Sequence, residues 1–259
     1  MTELQAFLLG LIQGLTEFLP VSSSGHLEIG HALLGIKDEN SLLFVLTVHV
    51  ATVLSTILVF RKDISILGKD LLAFRWNDST EYVSKLLFSS IPIVIVGLLF
   101  RDKIEAIFTG NLFFVGCMLL VTAGLLALTQ FVKKSDGKIT FGKAFIIGIA
   151  QTLAALPGIS RSGATIATGL LLKGKKEDVA RFSFLMVLIP ILGAAFIDIA
   201  NGELQSTNVD LMPLLIGFVS AFVSGWLACS WMIKIVKRGK LIYFAIYCAL
   251  IGLIAIFAA

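Results

Sequence analysis

Three residues that ionise or move protons stand in stretches that are otherwise apolar. Glu17 lies within QGLTEFLPVSSSGH (13–26), His26 closes that run behind three consecutive serines, and Arg161 lies within LPGISRSGAT (156–165). At membrane depth an ionised side chain costs about 2.5–3.5 kcal/mol even on insertion scales, so it calls for a partner and a task. A guanidinium fork grips two oxygens of a phosphate at once. Gly25, Gly158 and Gly163 permit backbone geometries that other residues resist. Successive N–H groups at a turn entering a helix form an anion cradle. Ser22, Ser23, Ser24, Ser160, Ser162 and Thr165 add hydroxyl donors. Together these residues describe a phosphate or diphosphate site beside a His and a Glu, and at such depth a lipid-linked one. His31 and His49 lack that company and are expected to be structural or pore-lining. Cys117, Cys229 and Cys248 sit singly in apolar runs, without metal-ligand spacing, and are read as small buried residues.

The elements that must hold these residues are membrane helices. Of 259 residues 57% are hydrophobic and only 15% charged, against about 25% charged in an ordinary soluble domain. No soluble fold of this length hides so much apolar surface, so the net charge of +4 carries no nucleic-acid signal. Six runs approach the length of about 20 residues that a crossing needs: 42–60, 83–100, 112–132, 182–200, 212–233 and 241–258. Two others are too short. Residues 4–19 stop at Pro20 and 144–156 stop at Pro157; each is followed by a Ser/Gly cluster and a second short apolar stretch, 27–36 and 164–172. That pattern predicts two helices that enter the membrane, break and return. No Lys or Arg precedes Lys37, so the basic start of a cleavable leader is not expected.

The two broken elements resemble each other. Residues 6–35 aligned without gaps on 144–173, at a constant offset of 138, share ten of thirty positions, including Gln13, Ser22, Ser24 and Gly25. The expected fold is all-α: a single polytopic membrane domain over 1–259 with six transmembrane helices and two re-entrant helical hairpins. Repeat one covers 4–132 and repeat two 142–259. Three crossings per repeat is an odd number, so the copies form an inverted-topology repeat whose hairpins approach from opposite faces. Glu17 and His26 correspond to Ala155 and Ala164, and Arg161 to Ser23, so the acid and imidazole belong to one copy and the guanidinium to the other. With this topology 17 of the 21 Lys and Arg fall on one side. The positive-inside rule makes that side cytoplasmic and places both termini and the first hairpin outward.

QGLTEFLPVSSSGH and PGISRSGAT resemble the paired signatures of the undecaprenyl-diphosphate phosphatase family, also called bacitracin-resistance proteins. The resemblance extends over nearly the whole chain, including RFSFL at 181–185; it departs at FAIYC, ending at Cys248, where FAIYR is expected. It implies a phosphoanhydride hydrolase that converts undecaprenyl diphosphate to undecaprenyl phosphate and inorganic phosphate, recycling the lipid carrier of peptidoglycan synthesis in a bacterial inner membrane. It further implies dependence on a divalent cation, Mg²⁺ or Ca²⁺. Carried onto matching positions, Glu17, Ser23, His26 and Arg161 are the expected catalytic residues, with Glu17 also the metal ligand. Gln13, Ser22, Ser24, Gly25, Ser160, Ser162, Gly163 and Thr165 are expected to shape the substrate pocket. The expected partners are a polyprenyl diphosphate lipid and membrane lipids, with no nucleic acid; a homodimer stays open.

Three nucleophiles suit these residues: Ser23 activated by His26, His26 itself, or a water with His26 or Glu17 as base. Arg161 and the backbone cradle would neutralise the phosphate oxygens, and a cation held through Glu17 and the diphosphate would bridge both phosphates. Broken helices in inverted repeats are also transporter architecture, so the alternative function is a polyprenyl-phosphate flippase.

Overall fold

A computed structural model describes residues 1–36, 41–105, 110–132, 136–200 and 210–259. Lys37, Lys133 and Lys134, which enter the charge asymmetry above, lie outside them. The described residues form helices joined by short connections, with one isolated bridge between Gly137 and Gly174 and no strand.

Helix α1 (Glu3–Phe18) begins at a capping box: the Gln5 amide donates to the Thr2 hydroxyl at 3.2 Å and the Thr2 amide to Gln5 Oε1 at 2.8 Å. It stops before Pro20, and α2 (Ser23–Leu34) restarts at once. Then follow α3 (Ser41–Val59), α4 (Arg61–Leu72), α5 (Asp78–Glu105) and α6 (Leu112–Leu128), which tightens into a 3-10 turn at Thr129–Phe131. The order then recurs. A broken pair, α7 (Phe141–Leu153) and α8 (Arg161–Leu171), precedes α9 (Lys176–Met186) and α10 (Leu188–Ala200), then a second 28-residue helix, α11 (Leu211–Arg238), and finally α12 (Ile242–Phe257). Both expected helix breaks are therefore present, between α1 and α2 and between α7 and α8.

Among the described residues three helical stretches are long and apolar enough to cross a membrane: Asp78–Phe100, Leu112–Phe131 and Leu211–Arg238. Residues 43–72 would add a fourth as one bent span, because α4 turns 78° away from α3. The expected crossing over 182–200 is not one helix: α9 ends at Met186 and α10 starts at Leu188. Pro190 supplies the reason. Proline lacks the N–H that a helix interior requires but fits a first turn, so the helix restarts just before it. The basic stretch after residue 60 is itself helical, and Asp63 on α4 pairs with Arg181 on α9 at 2.7 Å.

Packing crosses between the two halves of the chain. α1 lies on α11, α7 lies on α5, and α6 lies on α12. Each contact is close because glycine meets backbone: a Cβ on Gly14 would strike Ser224 and Ala221, one on Gly148 would strike the Ser89 carbonyl, and one on Gly116 the Gly252 carbonyl. Small residues let membrane helices approach this far, where dispersion and not water drives association. Buried Phe18, Phe60, Phe184, Met186 and Met232 belong to one core cluster, with Phe18 and Phe60 both packed on the Phe184 ring. Outward, α5, α11 and α12 present Leu98, Leu99, Leu227, Trp231, Ile254 and Phe257, a belt of exposed apolar side chains suited to lipid.

Candidate active site

The site forms where the two helix breaks touch. In the first, Leu19 is extended and Ser22 is left-handed at φ 71°, after which α2 begins. In the second the left-handed residue is Gly158, at φ 97°. A Cβ on Gly158 would collide with the Val115 carbonyl and Met118, so only glycine suits both the angle and the space. Beyond these turns the two breaks share one capping pattern. Ser22 Oγ accepts from the Gly25 amide at 3.2 Å and Ser160 Oγ from the Gly163 amide at 3.0 Å; the Ser22–Ser24 and Ser160–Ser162 hydroxyl pairs are both 3.3 Å apart. These are N-caps of α2 and α8. A Cβ on Gly25 would come 3.1 Å from Gly158 Cα, and Ser162 donates to the Leu19 carbonyl at 3.2 Å, tying one break to the other. Thr122 on α6 clamps the second break: its hydroxyl accepts from the Ser160 amide at 3.0 Å and donates to the Gly158 carbonyl at 3.2 Å.

Glu17 is the hub. It sits one turn after Gln13 on the buried face of α1, and Gln13 Nε2 donates to Glu17 Oε2 at 3.0 Å. The Ser23 hydroxyl donates to the same oxygen at 2.6 Å. Arg161, the first residue of α8, reaches across to Glu17 Oε1 at 2.5 Å, and its other terminal nitrogen donates to the Ser183 carbonyl at 3.4 Å. Both charged side chains are largely buried, 7% exposed for Glu17 and 15% for Arg161. A buried pair persists when geometry is good and the remaining sites are hydrogen-bonded; here three donors serve one carboxylate. Thr165 closes the second side, donating to the Arg161 carbonyl at 2.8 Å and pairing with the Ser183 hydroxyl at 2.6 Å.

Of the expected site residues, Gln13, Glu17, Ser23 and Arg161 form one connected chain. Ser22, Ser24, Gly25, Ser160, Ser162, Gly163 and Thr165 build the two breaks around it. Ser23 and Ser24 are partly open, whereas Ser22, Ser160, Ser162 and Thr165 are buried. His26 is adjacent, but its ring faces elsewhere. Nδ1 lies 2.8 Å from the Ser22 carbonyl and so carries the hydrogen; Nε2 then accepts from the Tyr247 hydroxyl of α12 at 2.9 Å. The two rings stack with centroids 5.6 Å apart. The departing Cys248 neighbours this pair: its thiol is buried and directed at the Pro20 carbonyl, 3.6 Å away.

His49, expected to be structural or pore-lining, faces the hub. From α3 its Nε2 lies 4.0 Å from Glu17 Oε2, while Nδ1 donates to the Val45 carbonyl at 2.8 Å. The signal that could have found it is spacing: His49, Thr52 and Thr56 recur at i, i+3 and i+7, a polar stripe on an apolar helix. Gln13 Oε1 is buried without a hydrogen-bond partner, an acceptor open to a ligand or water.

A resident Mg²⁺ or Ca²⁺ fits this donor set poorly. Such cations take about six or more oxygen ligands. Among the described residues no group of three His, Cys, Asp or Glu could hold a metal, and Glu17 is already engaged by Arg161, Gln13 and Ser23.

The chain resembles known proteins over nearly its whole length. The chain is 55% identical over 256 residues to an undecaprenyl-diphosphatase of Bacteroides fragilis, covering 97% of this chain and 96% of that one. A protein of the same name from Christiangramia forsetii is 53% identical over 256 residues, covering 98% and 97%. One from Salinibacter ruber is 41% identical over 264 residues, covering 97% of each. Residues 6–254, which include both breaks and every residue of the hub, match the family described as bacitracin resistance protein BacA, and the chain belongs to that family.

Proposed function

We propose that this protein hydrolyses undecaprenyl diphosphate to undecaprenyl phosphate and inorganic phosphate. The observation that carries the reading is the chain Arg161–Glu17–Ser23, which joins the two helix breaks through one carboxylate. The full-length relatives at 53–55% identity are named for that activity. Arg161 turns part of its guanidinium to the terminal phosphate, with the amides of the α2 start and the Ser24 hydroxyl as further donors. Phosphoryl transfer passes through a loose transition state, so positioning and charge neutralisation supply most of the catalysis. Ser23 Oγ attacks the terminal phosphorus and its proton passes along the existing 2.6 Å hydrogen bond to Glu17. The bridging P–O bond breaks and the lipid monophosphate departs. Water then releases phosphate from Ser23, which recovers its proton from Glu17. His26, held by Ser22 and Tyr247, fixes the start of α2 and hence the aim of Ser23. A divalent cation enters as the counter-ion of the diphosphate, as part of the substrate.

The same reading places six crossings in a bacterial inner membrane, with α9 and α10 together as one interrupted crossing. The cross-packing of α1 on α11 and of α7 on α5 supports a duplicated, inverted arrangement of 4–132 and 142–259. The basic asymmetry then turns the termini and the Glu17 hairpin outward, toward lipid diphosphate of the outer leaflet. That pseudo-symmetry also favours a second reading, movement of the lipid phosphate across the bilayer.

Purified protein in detergent is expected to release phosphate from undecaprenyl diphosphate, to slow with EDTA, and to lose turnover in Arg161→Ala. Absence of release from folded protein refutes the hydrolase reading, and lipid-phosphate flipping in vesicles by that same preparation would replace it.

A further inference from the structure

We infer that a basic cavity where α6, α8, α9 and the α11–α12 turn meet binds the phosphate headgroup of an anionic phospholipid. The cavity measures about 310 Å³, at the lower end of the range of about 300–1,000 Å³ for small-molecule pockets and far above the roughly 30 Å³ of one water. Thr129, Gln130, Leu170, Lys176, Gly239 and Leu241 line it. None of them belongs to the two helix breaks, so the inference stands apart from the hydrolase reading.

The local sequence sets its charge. Gly239 turns left-handed at φ 69° and ends α11. That turn brings residues 237–240 against 175–178, and these two segments carry five basic side chains and two carboxylates. Glu177 is taken by Lys237 at 3.3 Å. Lys176, the first residue of α9, is half-buried, and its Nζ packs so closely on Gly239 that a Cβ there would come within 2.6 Å. Among the described residues no carboxylate or carbonyl receives that ammonium. Lys175 and Leu241 hold the N-cap positions of α9 and α12, and neither side chain caps its helix. Amide donors at both helix starts are thus left for a ligand.

Position selects a lipid over a free ion. Leu112–Phe131 and Leu211–Arg238, two of the stretches able to cross a membrane, both end at this cavity, which sets it at the level of the bilayer surface. Phe131 and Leu171, each next in sequence to a lining residue, are 80% and 39% exposed and offer apolar surface to acyl chains. Basic pockets between membrane helices take anionic headgroups, and each basic residue near such a surface strengthens binding about fivefold.

Native mass spectrometry of the purified full-length protein, titrated with phosphatidylglycerol or phosphatidylcholine, tests the site. Both lipids carry a phosphate, but only the first has a net negative charge. Phosphatidylglycerol should be retained at least about fivefold better. Lys176→Gln should lose about fivefold of that retention, Lys176→Arg should keep it, and Lys69→Gln, on α4 and outside the cavity lining, should match wild type. Phosphatidylglycerol should also raise the melting temperature of wild type and not of Lys176→Gln. Without lipid the two should melt together, because no protein partner of Lys176 is lost. Equal retention of both lipids by wild type overturns the inference, as does unchanged phosphatidylglycerol retention by Lys176→Gln. Displacement of the lipid by inorganic phosphate, but not by chloride at the same ionic strength, overturns it too and makes the cavity a free-ion site.

Discussion

Removing either partner of the Glu17–Arg161 pair should damage stability and catalysis together, whereas removing both should repair only stability. The two side chains are 7% and 15% exposed and meet at 2.5 Å. Glu17→Gln leaves a guanidinium facing a neutral amide; Arg161→Met leaves a carboxylate with only Gln13 and Ser23 as donors. Breaking a buried pair from one side costs about 3–5 kcal/mol, because the surviving charge stays dry and unmatched. At about 2–4 °C per kcal/mol for a chain of this size, each single variant should melt roughly 6–20 °C below wild type. The double variant Glu17→Gln/Arg161→Met contains neither charge and should melt near wild type, since replacing a whole buried pair by neutral groups is often without cost. Turnover tells the opposite story. Loss of a guanidinium aimed at a transferring phosphoryl group lowers rate by about 10³–10⁵, so the double variant should be as inactive as Arg161→Met. Thermal unfolding in one detergent and phosphate release at saturating substrate complete the cycle. Additive losses of melting temperature would refute the coupling, and singles that melt with wild type would show that water already serves both charges.

Four further variants probe the scaffold. Thr122→Val keeps the shape but leaves the Ser160 amide and Gly158 carbonyl unpaired; thermal unfolding should register a loss of about 2–4 kcal/mol, and Thr122→Ser should recover most of it. Gly148→Ala pushes a methyl into the Ser89 carbonyl and should destabilise by at least about 1–3 kcal/mol, whereas Gly97→Ala, with open space at its Cβ, should melt at or slightly above wild type.

The helix breaks were legible because their signals are local. A short apolar run, a proline and a Ser/Gly cluster lie together in the chain, and capping chemistry acts over three residues. Glu17 and Arg161 were legible because a charge in an apolar stretch demands a partner, and each turned out to be the other's. What failed to show was direction. His26 reads as a companion of Ser23 because the two are three residues apart, yet its ring is claimed by Tyr247, 221 residues further on. His49 is one polar residue in an apolar run, and only the fold brings α3 beside the end of α1. The break between α9 and α10 was written in Pro190, but hydropathy averaged over 182–200 conceals it, because proline interrupts backbone hydrogen bonding without altering how apolar the stretch looks.

The cross-packing also sets an order for biogenesis. α1 is made first and its cover, α11, almost last: about 190 residues separate Phe18 from Leu211, or roughly 10–40 s at ordinary elongation rates. Through that interval Glu17 has been synthesised before Arg161, and the glycine face of α1 waits in the bilayer or the insertion machinery without its mate. α7 has no such wait, since α5 precedes it. A ribosome stall or truncation ahead of residue 211 therefore leaves the carboxylate-bearing α1 without α11 and α6 without α12, whereas α7 already has its partner α5.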